Sequence, residues 1–240
     1  MTNDKISAGS YDLNTWLYGG YENGIISSVY GPAGSGKTNF CILASVSQAK
    51  HGKKVFFIDT EGGFSVERVK QIAKESYKDV LENIFLIKPV NFEEQKKAFD
   101  KLLKEIKLSD LGLIVVDGMT MLYRIELAEA KSDEQVREIN AELARQMREL
   151  AEISRTKNIA VLITNQVYNE FLSEEDFKAG KKPDTRMVGG DILKYWSKCL
   201  IELKNDNGKR KAILKKHRSL PEKELSFQIF NEGIRKKGWI

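Results

Sequence analysis

The sequence contains few of the residues that form disulfides or bind transition metals. Its 240 residues include two histidines and two cysteines, and the cysteines, Cys41 and Cys199, lie far apart in apolar surroundings. No cysteines and histidines have the spacing of a zinc site. Cysteines in apolar surroundings are more often buried thiols than partners in a disulfide, and buried thiols fit a reducing compartment. We therefore expect a cytoplasmic protein without structural zinc.

Long hydrophobic runs are also missing. No stretch approaches the roughly 20 apolar residues that span a bilayer, and residues 1–4 lack the basic and apolar regions of a signal peptide. Hydrophobic residues account for 41% of the chain and charged residues for 30%, a balance typical of globular proteins. We expect no membrane association and a single α/β domain, in which residues 1–24 are a lead-in too short for a further folded domain.

Positive charge is concentrated at the C-terminal end. The net charge of the chain is +5, but residues 194–240 contain 13 lysines and arginines against 5 acidic residues, and the remaining chain has a net charge of −3. Such a region can bind an anionic polymer such as DNA, or it can be a solvated lysine-rich face. The charge alone leaves both interpretations open.

A glycine-rich motif directly follows the apolar run Ile25–Tyr30, which predicts a short buried strand. The motif, G-x-x-x-x-G-K-T, opens a helical stretch toward Gln48, and a preceding strand and a following helix are the context in which it binds phosphates. Glycines let backbone N–H groups approach a phosphate, Lys37 can reach the β- and γ-phosphates, and the Thr38 hydroxyl can ligate Mg²⁺. The predicted nucleotide-binding residues are Gly31, Pro32, Ala33, Gly34, Ser35, Gly36, Lys37, Thr38 and Asn39.

Two later strands end in acidic residues that would complete such a site. The apolar strand Leu111–Asp117 has the Walker B pattern, in which Asp117 holds the Mg²⁺ shell beside the threonine of the loop. The strand Lys54–Asp59 is followed by Glu61, which could polarise a water molecule for attack on the γ-phosphate. Glu61 could instead cap the helix that begins near Ser65, and the spacing favours catalysis only slightly.

The remaining elements predict an α/β architecture. Strands alternate with helices, which indicates a mostly parallel central sheet flanked by helices, and a hairpin adds antiparallel strands at the C-terminal end. Further strands are predicted at 83–88, 158–164, 198–204, 209–215 and 224–230. Further helices are predicted at 134–155 and after a cap formed by Asn91 and Glu94, and a long polar loop is predicted at 168–188.

Taken together, these motifs resemble the RecA/RadA/Rad51 recombinase family, and within it the short archaeal paralogues. The resemblance covers nearly the whole chain, and the matching segments are residues 31–38, 57–64, 111–117, 161–167 and 188–193. The pairing of Asp-Thr-Glu-Gly with Ile-Thr-Asn-Gln is far more specific than the phosphate loop, which many unrelated NTPases share. The resemblance implies a RecA-like P-loop ATPase core that binds ATP and Mg²⁺.

The resemblance also implies roles for individual residues. Glu61 matches the family's catalytic glutamate, and Gln166 matches the glutamine that senses the γ-phosphate and relays its presence to the following DNA-binding loop, here about 168–188. Lys37 would act with them, within a nucleotide cradle that spans Tyr30–Thr38. A basic pair that reaches a neighbouring subunit's nucleotide in some members resembles residues 216–218, so the candidate contacts to that subunit or to DNA are Lys215, Lys216 and Arg218.

Some features depart from the strand-exchange members of the family. Full-length RadA and Rad51 have an N-terminal helical DNA-binding domain and a linker with a Phe-x-x-Ala polymerisation segment, whereas this chain starts almost at the ATPase core. The first DNA loop, after Gly118, is acidic and lacks glycine at 123–129, and the second contains four acidic residues within 170–176. Because acidic residues weaken contacts to phosphates, we expect DNA to bind at the basic C-terminal strands instead.

Three functions fit these observations. The first is an accessory protein of DNA repair and homologous recombination, which would bind ATP, Mg²⁺ and single-stranded or branched DNA, hydrolyse ATP slowly and help to load a RadA-type recombinase, as a monomer or a homodimer. The second is a DNA-dependent recombinase that forms its own filaments. The third is a KaiC-like signalling ATPase that binds protein and not DNA. A small-molecule kinase is disfavoured, because no lid or acceptor-site signature follows the Walker B strand.

Overall fold

The computed structural model describes residues 4–108, 110–169 and 185–238 of the chain. Its strands are β1 (Lys5–Ile6), β2 (Tyr21–Glu22), β3 (Ile26–Tyr30), β4 (Lys54–Asp59), β5 (Ile84–Ile87), β6 (Leu111–Asp117), β7 (Ala160–Asn165), β8 (Val167–Asn169), β9 (Thr185–Met187), β10 (Ser197–Asp206), β11 (Lys209–Lys216), β12 (Lys223–Phe230) and β13 (Gly233–Lys236). Its helices are α1 (Tyr11–Trp16), α2 (Lys37–Lys50), α3 (Val66–Ala73), α4 (Tyr77–Glu82), α5 (Phe92–Leu108), α6 (Met121–Glu129), α7 (Asp133–Lys157) and α8 (Gly190–Trp196), with a 3₁₀ turn at Lys74–Ser76.

A nine-stranded sheet lies at the centre, in the order β13-β12-β11-β10-β3-β7-β6-β4-β5. The strands from β10 to β5 run parallel to their neighbours, whereas β11, β12 and β13 are added by antiparallel pairing. This topology confirms the predicted α/β class, with a mostly parallel sheet and antiparallel C-terminal strands. Two short ribbons, β1–β2 and β8–β9, lie outside the main sheet.

Both faces of the sheet are covered by helices, and alternate strand residues serve each face. In β6, Leu113 and Val115 pack in the core that includes α2, α3 and α4, whereas Ile114 and Val116 pack in the core that includes α5, α6 and α7. Strands that are buried on both faces are continuous apolar runs without polar alternation. For this reason β4 and β6 have the bounds predicted from the sequence.

Other predicted boundaries change where pairing between strands decides them. The hairpin turn contains only Asn207 and Gly208, because Asp206 still pairs with Lys209. Both turn residues have a positive φ, 49° and 83°, as two-residue hairpin turns require. β13 is absent from the predicted elements and forms by pairing with β12. The ends of the predicted loop 168–188 pair as β8 and β9, and its central residues lie outside the described part of the chain.

Two expectations from composition can be compared with the structure. Cys41 and Cys199 are both free, buried thiols, as expected. No helix within the described ranges combines the length and the apolar character needed to cross a membrane.

The N-terminal segment is held against α2 and the last strand. Ser10 caps α1 by accepting the Leu13 N–H at 3.4 Å, and its hydroxyl donates to the Ile234 carbonyl oxygen at 2.6 Å. Gly9 lies so close to α2 that an added Cβ would come within 2.2 Å of the Leu43 carbonyl oxygen. The start of the described chain is therefore an integral part of the core that includes α2.

We expect Gly9→Ala to destabilise the fold more than the matched change Gly52→Ala. Both glycines have a positive φ, 81° and 74°, so alanine costs about 1–2 kcal/mol at either position. An added Cβ at Gly52 meets nothing within 4 Å, whereas at Gly9 it clashes with backbone, which should cost at least about 1 kcal/mol more. Urea unfolding measures the difference, and equal midpoints for the two variants would contradict this packing.

Candidate nucleotide-binding site

The phosphate loop lies between β3 and α2, at the edge where the parallel strands end. Gly36, its last glycine, has a φ of 110° and turns the chain into α2. Because α2 begins at Lys37, its unpaired N-terminal N–H groups face the loop, where an anion is favoured. The Ser35 hydroxyl is buried within the loop and has no hydrogen-bond partner among the described residues. The loop therefore offers backbone and side-chain donors to a phosphate.

Lys37 points back into the loop. Its Nζ donates to the carbonyl oxygens of Gly31 at 3.0 Å and Pro32 at 3.1 Å, and the residue is only 6% exposed. Burial lowers the pKa of the Lys37 ammonium group, whereas the negative charges of Glu61 and Asp117 act to raise it. The structure thus brings the predicted lysine and both predicted acids together around one point.

Asp117, at the end of β6, has one engaged and one unengaged carboxylate oxygen. Oδ1 accepts the Thr164 hydroxyl at 2.6 Å, and Oδ2 is buried without a hydrogen-bond partner in the described ranges. Burial raises the pKa of the Asp117 carboxyl to about 6, and the hydroxyls of Thr164 and Thr38 act to lower it. A Cβ added at Gly63 would lie 3.1 Å from Thr38 Oγ1 and 3.7 Å from Asp117 Oδ2, so this glycine keeps space beside both oxygens.

These oxygens suit the metal that a nucleotide carries. Mg²⁺ prefers oxygen ligands and is held by one or two protein groups together with phosphates and water. The unengaged Oδ2 of Asp117 and the adjacent Thr38 hydroxyl provide such ligands at the mouth of the phosphate loop. The residues present therefore fit Mg²⁺.

The segment that carries Glu61 is fixed at the ends of two strands. The Asp59 carboxylate accepts two backbone N–H groups of the following turn at 3.0 and 2.9 Å, and the Thr60 hydroxyl donates to two backbone carbonyl oxygens at the end of β6, at 3.0 and 2.8 Å. Helix α3 is capped by Ser65, whose hydroxyl accepts an N–H at 3.2 Å. The alternative that Glu61 caps this helix is therefore wrong.

Glu61 contacts Gln166 across the edge of the sheet. Gln166 Nε2 donates to Glu61 Oε1 at 3.2 Å, although the two residues are 105 positions apart in the chain. The carbonyl oxygen of Gln166 also accepts the Val188 N–H at 3.3 Å, and the Asn165 side chain donates to the Val188 carbonyl oxygen at 2.6 Å. Gln166 therefore joins Glu61 to the end of the ribbon β8–β9 at which β8 begins and β9 ends.

Thr164 lies at this site although the sequence motifs did not indicate it. Its hydroxyl donates to Asp117 Oδ1 at 2.6 Å and accepts the Gly118 N–H at 2.7 Å, so it fixes the orientation of the carboxylate. The available signal was its position in Ile-Thr-Asn-Gln at the end of β7, since β6 and β7 are parallel neighbours whose carboxyl ends meet.

Arg68 on α3 is a second residue that the motifs did not indicate. Its Nε donates to the Asn39 side-chain oxygen at 2.8 Å, and its Nη1 donates to the Asn231 carbonyl oxygen at 3.0 Å. The Asn39 side chain, predicted to contact the nucleotide, is thus engaged by a guanidinium group. Arg68 connects the first turn of α2 to the turn between β12 and β13.

Comparison with known proteins agrees with this geometry. The model of the Rad51 family matches residues 3–237. The chain belongs to the Rad51 family. The DNA repair and recombination protein RadB of Methanocaldococcus jannaschii is 44% identical over 92% of this chain and 98% of its own length, and that of Methanobrevibacter smithii is 41% identical over 97% of this chain and 96% of its own length. The crystal structure of the RadB recombinase superposes with a TM-score of 0.76 at 33% identity, covering 97% of this chain and 100% of the other.

Membership of the Rad51 family confirms the predicted RecA-like fold, and relatives from methanogens agree with the predicted archaeal branch. It also implies the use of a nucleotide and Mg²⁺. The phosphate loop, Asp117, Glu61 and Gln166 lie together at one edge of the sheet, as the family resemblance predicts for such a site.

The basic residues 215–218 of this Rad51-family chain lie away from that edge. Lys215 pairs with Glu222 at 2.6 Å, and Lys216 donates to two backbone carbonyl oxygens, each at 2.9 Å. Arg218 pairs with the buried Glu22, which precedes β3. Because β11 runs antiparallel to β10 while β10 runs parallel to β3, the end of β11 points away from the phosphate loop. A nucleotide reached by these residues would therefore belong to another molecule.

We expect Asp117→Asn to remove the effect of Mg²⁺ without harming the fold. The pKa of Asp117 rises from 3.8 to about 6 in the folded protein. Its ionised form therefore costs folding stability, up to about 3 kcal/mol, and this cost appears as the pH rises from about 4 to above 6. In the nucleotide-free protein at pH 7.5, Asp117→Asn should melt at least as high as the unchanged chain, and the difference should shrink below pH 4.

Thermal unfolding with ATP, with and without Mg²⁺, tests the metal role of Asp117. The unchanged protein should gain stability from Mg²⁺ through ligand binding, and Asp117→Asn should not. Asp110→Asn is the matched control, since Asp110 precedes the same strand at its other end and its side chain is 79% exposed. Equal stabilisation of Asp117→Asn and Asp110→Asn by Mg²⁺ would exclude Asp117 as a metal ligand.

Proposed function

We propose that this protein acts in DNA repair and homologous recombination as an accessory to a RadA-type recombinase, binding ATP, Mg²⁺ and DNA and hydrolysing ATP slowly. The names of its relatives and its Rad51-family sequence support the process. The observation that carries the proposal is the 3.2 Å hydrogen bond between Glu61 and Gln166, beside the phosphate loop. It links the proposed catalytic residue directly to the start of the proposed DNA-binding segment.

In the proposed hydrolysis, different residues would bind the phosphates, hold Mg²⁺ and activate the water molecule. The loop N–H groups and Lys37 would hold the β- and γ-phosphates, and Thr38 and Asp117 would hold Mg²⁺, which supplies positive charge against the charge that develops on the phosphates. The Glu61 carboxylate would orient and polarise the attacking water molecule. Its segment is anchored by Asp59 and Thr60, so the carboxylate is placed before the nucleotide arrives.

Gln166 would couple the nucleotide to DNA. Its amide group donates to Glu61, and a γ-phosphate would offer that amide a more negative acceptor. A shift of Gln166 toward the phosphate would free Glu61 for the water molecule and pull on β8, which begins at the next residue. The same movement would thus prepare hydrolysis and reposition residues 168–188.

Slow turnover follows from the distribution of the basic residues. The side chains of Lys215, Lys216 and Arg218 are engaged at the opposite end of the sheet, so one molecule places none of these three cations at its own phosphates. A site that needs one of these three cations to stabilise the transition state would be complete only between two molecules. We infer that an isolated molecule binds ATP but hydrolyses it slowly.

We expect Glu61→Gln to abolish whatever ATP hydrolysis the protein has while leaving ATP binding intact. The change removes the carboxylate that accepts a proton from water and keeps the shape of the side chain. Turnover is measured by phosphate release and binding by a fluorescent ATP analogue. Glu67→Gln is the control, because Glu67 lies on the neighbouring α3 with a 74% exposed side chain paired to Lys70. Turnover of Glu61→Gln equal to that of the control would contradict the catalytic role.

DNA binding is tested by fluorescence anisotropy across a salt series, with and without ATP and Mg²⁺. We expect affinity to fall steeply with salt concentration, because phosphate contacts release counterions. Replacing Lys215, Lys216 and Arg218 by glutamine should weaken binding and flatten the slope by about 0.7 for each lost contact to a single strand. Replacing the exposed Lys97, Lys101 and Lys104 of α5 removes the same charge from another face and is the matched control.

The same measurement separates the competing functions. Absence of salt-dependent DNA binding would favour a signalling ATPase that binds protein. Regular filaments in electron micrographs with ATP and single-stranded DNA would favour a recombinase that assembles by itself. An equal effect of the two triple replacements would place DNA elsewhere than on the C-terminal strands.

A further inference from the structure

An exposed tyrosine stands at the end of the first helix. Helix α1 and the turn after it bury Leu13, Trp16 and Leu17, whereas Tyr11 and Tyr18 face solvent with 83% and 69% of their surface exposed. Tyr18 also has a φ of 54°, a left-handed backbone conformation that a bulky side chain rarely adopts. This conformation ends helix α1, since Tyr18 follows the C-cap Leu17 and the Gly19 N–H donates to the Asn14 carbonyl oxygen, and it leaves the aromatic ring in solvent.

Cations surround Tyr18. The Lys223 ammonium group lies 4.1 Å from the centroid of the Tyr18 ring. The Lys5 ammonium group donates to the carbonyl oxygens of Leu17 and Tyr18 at 3.2 and 3.0 Å, which fixes the backbone that carries the ring. Arg218 is half exposed and, like Lys5, lies beside the buried carboxylate of Glu22.

The charge of this cluster is not balanced. Lys5 and Arg218 both pair with the single carboxylate of Glu22, and Lys223 lies over the Tyr18 ring, so the cluster contains three cations and one carboxylate. Burial lowers the pKa of His217, the Glu22 carboxylate acts to raise it, and Lys5, Arg218 and Lys223 lower it further. Burial and Lys5 lower the pKa of Lys223. The net charge around Tyr18 is therefore about two positive charges, next to an open aromatic face.

The contact with Lys223 leaves most of the Tyr18 side chain accessible. Tyr18 keeps 69% of its surface in solvent. The Lys223 ammonium group lies over one face of the ring, and the remaining exposed surface is large enough to contact a planar group such as a nucleobase. An accessible π-face flanked by uncompensated cations is the combination with which proteins bind single-stranded nucleic acid.

We propose that Tyr18 is a base-stacking platform for single-stranded DNA, with Lys5, Lys223 and Arg218 contacting the flanking phosphates. The proposal rests on the proposed DNA binding and adds both a residue and a strand preference. In a duplex the faces of the bases are covered by their neighbours, so only an unpaired base can stack on the ring. Arg218 makes this surface continuous with the end of β11, and a bound strand would pass from β11 to the turn after α1.

The test compares Tyr18→Ala with Tyr18→Phe and Tyr11→Ala by anisotropy of a fluorescein-labelled oligo(dT) strand. Tyr11 is the matched control, since it begins the helix that Tyr18 follows, is more exposed and has no cation over its ring within the described residues. We expect Tyr18→Ala to weaken binding by about fivefold to about a hundredfold, as loss of one aromatic stacking contact does. Tyr18→Phe, which keeps the ring, and Tyr11→Ala should bind as the unchanged protein does.

Further measurements distinguish stacking from charge and from misfolding. Tyr18→Ala should leave the salt slope unchanged because it removes no cation, whereas Lys223→Gln should reduce it by about 0.7.

Two controls address other causes of weaker binding. Tyr18→Ala should bind an abasic strand or a duplex of the same length with the affinity of the unchanged protein. Its melting temperature should match that of Tyr11→Ala. Unchanged affinity of Tyr18→Ala for oligo(dT) would overturn the platform alone. Absence of DNA binding by the unchanged protein would overturn the proposed DNA binding together with it.

Discussion

The hydrogen bonds around Asp117 hold together the edge of the sheet that carries the proposed nucleotide site. The carboxylate accepts the hydroxyl of Thr164 from β7, and the backbone carbonyl oxygen of Asp117 accepts both the N–H and the hydroxyl of Thr60 from the end of β4. Three parallel strands are thereby fixed relative to one another at the point where each of them ends. The second carboxylate oxygen is buried without a hydrogen-bond partner among the described residues, which is an energetic cost that a divalent cation would relieve.

The next residues along β7 extend this fixed edge toward the segment proposed to bind DNA. Asn165 and Gln166 contact Val188 at the far end of that segment, and Gln166 also contacts Glu61. A fixed edge and a hydrogen bond that can be exchanged for a phosphate contact would be sufficient to couple the nucleotide to this segment. The γ-phosphate would bind more tightly to one of two positions of the Gln166 amide group and so favour that position. No large rearrangement of the sheet is needed for such a response.

The two ends of the sheet have different chemistry. The end with the phosphate loop gathers the acidic residues and Lys37 around a site for a nucleotide, whereas the end near Glu22 gathers cations and an exposed tyrosine. The topology produces this separation, since β11 runs back from the hairpin turn toward the amino ends of the parallel strands. One molecule therefore places the proposed nucleotide site and the cations around Glu22 at opposite ends of the sheet.

The sequence by itself determined the elements whose pattern is local. The strand, loop and helix of residues 26–50 and the bounds of β4 and β6 could be predicted, because strands buried on both faces are unbroken apolar runs and a phosphate loop needs glycines at set positions. Only the tertiary structure decided what depends on approach across the fold. β13 has a single apolar residue, Ile234, in its interior and exists through pairing with β12, and the contact of Glu61 with Gln166 joins positions 105 apart. Hydrogen-bond partners across a sheet are set by strand order, which local periodicity does not encode.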